Sequence, residues 1–573
     1  MINKKKVFLS IIGVAIIVVV VKFFFSSNDV DIVRGEKYIS ISDSWNRMIS
    51  KEVNKKNINV NVDGSNFQLS DRDIFMDDSR TLMVSSKILR NMMSCASNLY
   101  DNEKLIVEKG NKRLEFQLGE YSMSVNGTKE DISAKTTIIE DIFYVPFKYL
   151  CQNLSYDYKW DYSTNTISIS NTKIDEKVYP FVYDYRTDGK VSTVKNQADY
   201  GTCWAFASLT ALSSSILPEY KMDFSVDNMV YHNGYNVDMM NGGEYTMSMA
   251  YLTSWKGPVL EADDPYGDGV SPGNLDEVLH VQEIQIIESK NLDAIKKAVF
   301  LYGGVQSSLY MSLHDASGAG SSAYYDDEKF SYCYIGTEKA NHDVVIVGWD
   351  DSYPAENFRT GHEGDGAFIC VNSWGDSFGD NGYFYVSYYD SNIGIHNIVY
   401  TGVEPVGNYD NIYQSDELGW VGQLGYNKDY AFFANVYEAR ENEMLEAVGF
   451  YATGANTEYE IYCVMNFDNE NSLKEKIFIE RGSLANAGYY TIDLDTKVSM
   501  IKGQKYAVVV YIKTPNSVHP IAIEYDADYT TENVRIDDGE GYISPNGKYW
   551  EHVEETQKCN LCLKFYTNNV TEE

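Results

Sequence analysis

The string VKNQADYGTCWAFASLTALSSSIL, residues 194–217, limits what this chain can fold into more than any other stretch. Phe206, Leu209, Leu212 and Ile216 recur at the spacing of one apolar helix face, which predicts a helix beginning at Cys203. A cysteine in the first turn of a helix meets unpaired amides and the positive end of the helix dipole, so its thiolate is favoured over its thiol. An attacking sulfur requires that bias, but a lone cysteine at such a place is more often a core residue, so partners decide. Two candidates follow in the sequence. His342, in ANHDVVIVGWD, opens a strand-like run 139 residues after Cys203, and Asn372, in GAFICVNSWGDSFGDNGYFYVSY, closes another strand 30 residues farther on. A catalytic imidazole needs its second nitrogen held, and the Asn372 side chain can accept that hydrogen bond.

These three strings together resemble the papain-like cysteine peptidases over about 220 residues. The resemblance implies that Cys203 is the nucleophile, His342 the general base and acid, and Asn372 the residue that orients it. It gives Gln197, six residues before Cys203, to the oxyanion hole together with the Cys203 amide. MNGGEYTMSMAYL looks like the family's substrate-binding segment, with Gly242 and Gly243 pairing their backbone with an extended peptide because a side chain there would obstruct it. Trp374 is placed on the same substrate side, and Pro265-Tyr266 in GPVLEADDPYGDG reads as structural. The chain also departs from the family pattern. Tyr200 and Met240 stand where the family has a disulfide pair, which predicts that an aromatic and a thioether pack in its place. Phe378 replaces a family tryptophan, and the helical inhibitory propeptide of typical relatives is not recognisable, leaving autoinhibition to the repeat module or the segment before Tyr185.

The rest of the chain divides by pattern. MINKKK, the 15-residue apolar run VFLSIIGVAIIVVVV, then Lys22 and FFF read as a signal peptide or an uncleaved signal anchor over residues 1–29, followed by a linker over 30–54. Within 55–175, INVNVDGSNFQL, IFMDDSRTLMVSSKILRNMM and EKLIVEKG line up with YSMSVNGTKEDI, IIEDIFYVPFKYLCQNL and NTISISNT at a spacing near 62 residues. Each copy predicts a hairpin at DG or NG, a strand, a helix and one closing strand. Through YVPFKYL and DYKWDYSTNTISI this pair resembles the N-terminal repeat of copper amine oxidases, which implies a spacer or binding module without oxidase chemistry. Residues 176–403 carry the peptidase-like strings. From 408 to 573, short alternating runs such as EAVGFYA, KYAVVVYI and LCLKFYT predict an antiparallel β-sandwich. With GYISPNGKYW, this tail resembles the lectin-like sandwich that follows bacterial and archaeal extracellular peptidases. The fold class expected is therefore multidomain: a small α+β repeat module, a papain-like α+β cysteine peptidase fold, and a C-terminal antiparallel β-sandwich.

Charge and cysteine usage narrow the partners. With 48 basic and 83 acidic residues the net charge is −35, which repels nucleic-acid backbone, while 44% hydrophobic and 14% aromatic content excludes global disorder. Eight cysteines in 573 residues are no disulfide scaffold, and the CNLC pair at 559–562 has no second CxxC to complete a zinc site. His232, His280, His314, His362, His396, His519 and His552 show no convergent ligand spacing. No cofactor is expected, and the acidic loops DNENS and DADYTTENVRIDDGEG read as solvated turns before calcium sites. The function expected is an extracellular or surface-anchored cysteine endopeptidase acting on polypeptides, with cell-envelope carbohydrate as a second partner and one N-terminal membrane segment. The alternatives are a catalytically silent wall or carbohydrate adhesion protein, and a cell-wall amidase or transpeptidase.

Overall fold

The computed structural model describes residues 58–570, apart from 68, 71, 78–80, 162–163, 173–176, 191 and 537–539. The apolar run at 7–21, expected as a signal or anchor, lies outside the described residues. Among the described residues no helix is long and apolar enough to cross a membrane.

The two N-terminal copies build one body by exchanging strands. The first hairpin, Asn59–Val62 and Ser65–Phe67, turns at Asp63-Gly64 with both residues at positive φ, as its DG signal predicts. It joins the closing strands of the second copy, with Asn59–Val62 running parallel to Thr166–Asn171. The second hairpin, Ser122–Val125 and Thr128–Asp131, lies at the edge of a five-stranded sheet shared with Ala96–Tyr100, Lys104–Lys109 and Lys112–Gln117. Each helix is thus followed by two strands, where the sequence pattern predicts one. The extra strands, ASNLY and YDYKWD, are short and polar and show their role only once paired. Both copies bury their apolar faces in one core that includes Val84, Leu89, Phe116, Phe143, Phe147 and Ile167. This body meets the next through Tyr100, whose hydroxyl donates to the Asp188 carbonyl, through Tyr302 donating to Asn91, and through Gly110 N–H on the Val178 carbonyl.

The central body is organised around the helix Cys203–Ile216. Trp204, Ala205, Phe206, Ala207, Ser208, Leu209, Ala211, Leu212, Ser213, Ser214 and Ile216 are all buried, so the single apolar face expected is a helix covered nearly all round. Its small residues, Ala and Ser, let neighbouring elements approach closely: the helices Val226–His232 and Tyr245–Thr253 on one side, and the strands Val305–Leu309, His342–Asp350 and Asn397–Pro405 on the other. His342–Asp350 pairs antiparallel with Val305–Leu309 and Ala367–Val371, which brings the start of the first strand near the end of the last.

The sheet does not stop at the tail. Leu279–Ile286 pairs with Asn397–Pro405 and also, through Glu283–Ile286, with Ala487–Met500 of the C-terminal sandwich. Gly488 sits at the join with φ +145°, and a Cβ there would lie 2.0 Å from the Ile284 carbonyl oxygen. Trp255 stacks on His280 with centroids 3.9 Å apart and also meets Tyr566 of the tail, while Tyr235 donates to the Leu418 carbonyl. The extended sheet packs on the six-stranded sheet containing Tyr430–Glu438 and Lys505–Lys513, over a core of Val448, Phe450, Val508, Val510 and Phe565.

Beneath this join lies a buried ion cluster. Lys564 Nζ is 2.9 Å from Asp416 Oδ1, both side chains being essentially inaccessible, and it also donates to Gln414 Oε1. Glu524, equally buried, accepts from Leu418 N–H and Asn560 Nδ2. One ammonium thus serves two carboxyl groups. Burial, reinforced by Asp416, pushes Glu524 up to about 8, against 4.5 for the ordinary side chain. The folded state therefore holds a proton that the unfolded chain releases, so this group's stabilisation is full below pH 4.5 and is lost as pH rises through about 8. Thermal unfolding followed between pH 5 and 8 is expected to show this loss, and Glu524→Gln to flatten it. Lys564→Met, which strands the carboxylates without a cation, is expected to cost about 3–5 kcal/mol in denaturant unfolding.

Candidate active site

Cys203 opens its helix after Thr202, which makes no side-chain cap. The Thr202 hydroxyl instead meets Tyr266 Oη at 2.7 Å, and Tyr266 donates to the Gln197 carbonyl at 3.0 Å. Tyr266 therefore ties the loop before the helix to the GPVLEADDPYGDG segment, the structural part expected of Pro265-Tyr266. Of the eight cysteines, Cys203 alone is partly exposed, and none is in a disulfide. The backbone amides of Asp343, Trp204 and Cys203 each favour the charged form of its sulfur.

The electrostatics differ from the thiolate expected at a helix start. Burial, then the Asp343 carboxylate, push the Cys203 thiol up to about 12, outweighing the three amides. His342 moves the other way: burial lowers it from 6.5, and the Asn372 bond and Asp343 only partly restore it. Burial thus disfavours the charged form of each of the two groups.

His342 Nε2 lies 2.8 Å from Asn372 Oδ1. The same oxygen accepts the Ser373 N–H at 2.8 Å, which fixes the orientation of the Asn372 amide. With an oxygen opposite it, Nε2 must be the donor nitrogen, so the neutral ring keeps its lone pair on Nδ1. Trp374 lies over the imidazole with centroids 5.1 Å apart and is itself braced edge-on by Phe378. Phe378 stacks on Tyr325 and meets Phe384, filling the place of the family tryptophan by packing. Trp374 is only 6% exposed and packs on the His342 ring beside the His342–Asn372 bond.

Gln197 is held at three points. Its N–H donates to the Ser373 carbonyl, its Oε1 accepts from Ser373 Oγ at 2.6 Å, and its Nε2 donates to the Tyr200 carbonyl at 2.7 Å. One Nε2 hydrogen remains for another acceptor. Ser373, unmarked in sequence reasoning, thus joins Asn372 to Gln197; its place directly after Asn372 was the available signal.

The Gly242-Gly243 segment lies beside the start of the Cys203 helix, where backbone conformation and packing also call for glycine. Gly242 has φ +74°, and a Cβ on Gly243 would fall 2.5 Å from the Trp204 ring. Gly201, also missed in sequence, is the counterpart: a Cβ there would lie 2.9 Å from Gly242 N, and its own N–H donates to the Met239 carbonyl at 2.7 Å. The expectation that Tyr200 and Met240 pack in place of a disulfide fails for Met240, which is 66% exposed. Tyr200 packs edge-on against Tyr266, and the backbone contact at Gly201 connects the two segments.

Comparison with known proteins bears on the three bodies of the chain. Residues 179–403 match the family described as papain family cysteine protease, 412–567 the lectin like domain, and 43–169 the copper amine oxidase N-terminal domain. Falcipain-3 of Plasmodium falciparum (isolate 3D7) is 26% identical over 364 residues, covering 60% of this chain and 70% of that protein. Cysteine protease Amb a 11.0101 of Ambrosia artemisiifolia is 29% identical over 224 residues, 38% of this chain and 51% of the relative. Among solved structures, the clostridial cysteine protease Cwp84 after propeptide cleavage superposes with a TM-score of 0.61 at 27% identity, covering 68% of this chain and 99% of that one. The cysteine protease and lectin-like domains of Cwp84, described as a surface layer associated protein of Clostridium difficile, give 0.59 at 26% identity over 68% and 89%. The chain is a cysteine peptidase whose central residues match the papain family, set between a copper amine oxidase N-terminal-like domain and a C-terminal lectin-like domain.

Proposed function

We propose that this protein is an extracellular or surface-anchored endopeptidase that cleaves polypeptides through Cys203, His342 and Asn372. The observation that carries the reading is the Asn372 oxygen, which takes the Nε2–H of His342 and so leaves the lone pair on Nδ1 to act as base. A Cys203 thiolate, its proton carried by His342, attacks the peptide carbonyl. The remaining Gln197 Nε2 hydrogen and the Cys203 amide receive the oxyanion. His342 then protonates the leaving amine, and water activated by the same ring hydrolyses the thioester. Side chains and backbone amides carry every step, so the reading invokes no cofactor.

An extended substrate lies across Gly242-Gly243, with Trp374 shielding the imidazole from water. The domain limits are proposed as 55–175, 176–403 and 408–573, after the N-terminal signal or anchor and its linker. The surface association stated for Cwp84 supports an extracellular location here, and the lectin-like domain supports cell-envelope carbohydrate as a further partner.

Incubation of the full chain with a peptide library, beside Cys203→Ala, tests the assignment: cleavage unchanged in the variant would overturn it. Asn372→Ala is expected to lower kcat on the order of 10²-fold with little change in KM. Since burial lowers His342, kcat/KM is expected to hold steady as pH falls to 6.5 and to decline only below it. Gly243→Ala, which forces the cleft segment off Trp204, is expected to cut kcat/KM by up to about 10²-fold while Cys203 alkylation persists.

A further inference from the structure

Two carboxylates of the central body are buried without a counter-charge. Asp227, on the helix Val226–His232, is 0% exposed, and Asp264, in the segment GPVLEADDPYGDG, is 1% exposed. The backbone lashes their segments together: Phe224 bridges Leu260, Ser225 N–H donates to the Val259 carbonyl, and Glu261 N–H donates to the Asp223 carbonyl. Asp227 and Asp264 follow this bridge closely on either chain segment, and each grips the same turn with one oxygen. Asp227 Oδ2 accepts the Gly267 N–H at 2.8 Å, and Asp264 Oδ2 accepts the Ser271 hydroxyl at 2.6 Å. His232, at the end of the same helix, donates to the Ser271 carbonyl at 3.3 Å.

The second oxygen of each carboxylate, Asp227 Oδ1 and Asp264 Oδ1, is buried with no hydrogen-bond partner. Among the described residues no lysine, arginine or histidine forms an ion pair with either. The other acids of the turn are engaged elsewhere, Glu261 with Lys195 at 2.9 Å and Asp268 with the Val270 N–H. Two like charges buried together, each with a bare oxygen, are a costly arrangement that a cation bound to both relieves. The donors are all oxygen, and among the described residues no group of three histidine, cysteine or carboxylate side chains could hold a metal. That favours calcium, which completes a sphere of roughly 6–8 oxygens with backbone carbonyls and water, over zinc, which takes nitrogen and sulfur.

We propose that Asp227 and Asp264 are the two carboxylate ligands of a calcium site, and that the bound ion holds the 261–271 segment in place. Tyr266 carries the effect to the active site. Its N–H donates to Glu261, and its ring packs edge-on against Phe206 with centroids 4.7 Å apart. Its hydroxyl meets Thr202 and Gln197, so the ion secures the loop that precedes Cys203. Tyr266 is a positioning residue here, and calcium takes no part in bond making. The site stands apart from the peptidase reading, and only its effect on rate rests on that reading.

Binding is tested in the full chain carrying Cys203→Ala, so it is read without catalysis. In about 2 mM CaCl2, above the usual extracellular calcium affinities, Tm is expected to exceed that in EGTA by at least about 3 °C. With Asp227→Asn and Asp264→Asn added, the two melting curves are expected to coincide, because the buried charges are gone. Asp264→Asn alone is a second variant, expected to weaken calcium at least about tenfold in a direct titration. No calcium shift in the parent, which is what a proton shared by the two carboxyls would give, or an equal shift in the double variant, would overturn the site. With Cys203 intact, EGTA is expected to lower kcat at least about fivefold and calcium to restore it, the double variant responding to neither. A melting shift with unchanged kcat would overturn the link through Tyr266. A chain that cleaves no peptide under either condition would overturn the peptidase reading, while the melting result still decides the site.

Discussion

One oxygen atom orders the site. Asn372 Oδ1 accepts from His342 Nε2 and from the Ser373 amide, so the rotamer of Asn372, the orientation of its amide and the tautomer of His342 are settled together. Ser373 continues the connection to Gln197 through its hydroxyl and carbonyl. The nitrogen of the same Asn372 amide is buried with no hydrogen-bond partner. An unsatisfied buried donor costs on the order of 1–3 kcal/mol, so the fold gives up stability at this point to hold the imidazole in one state.

Desolvation is the counterweight. The Cys203 helix supplies amides that favour negative sulfur, but the nearly complete cover of that helix and the Asp343 carboxylate favour the neutral thiol more strongly. Burial acts in the same sense on His342 by disfavouring its charged form. The environment is set for charge that develops during attack and is met by preplaced donors.

Much of this could be read from the sequence, because it depends on residue identity at fixed spacing. Cys203, His342, Asn372 and Gln197 stand in strings whose local patterns already place them at the start of a helix, the start of a strand, the end of a strand and a loop. The contents of the three bodies were legible from composition and alternation. Other features depend on contacts between segments far apart in sequence, and no local pattern reports those. The exchange of strands between the two repeats needs Asn59–Val62 to find Thr166–Asn171, more than a hundred residues away. Gly243 packs on the Trp204 ring, and the partner of Gly201 is the backbone of Met239 and Gly242. Met240 was expected in the interior from its chemistry, yet the backbone bond at Gly201 already closes that contact and leaves the thioether outside.

The strand Leu279–Ile286 belongs at once to the catalytic body and to the sandwich, since one edge pairs with Asn397–Pro405 and the other with Ala487–Met500. A flexible linker would let a cutting domain swing around its point of attachment. A shared strand instead fixes a bearing: the cleft keeps one angle to the sandwich, so the two bodies present their faces as a single rigid unit.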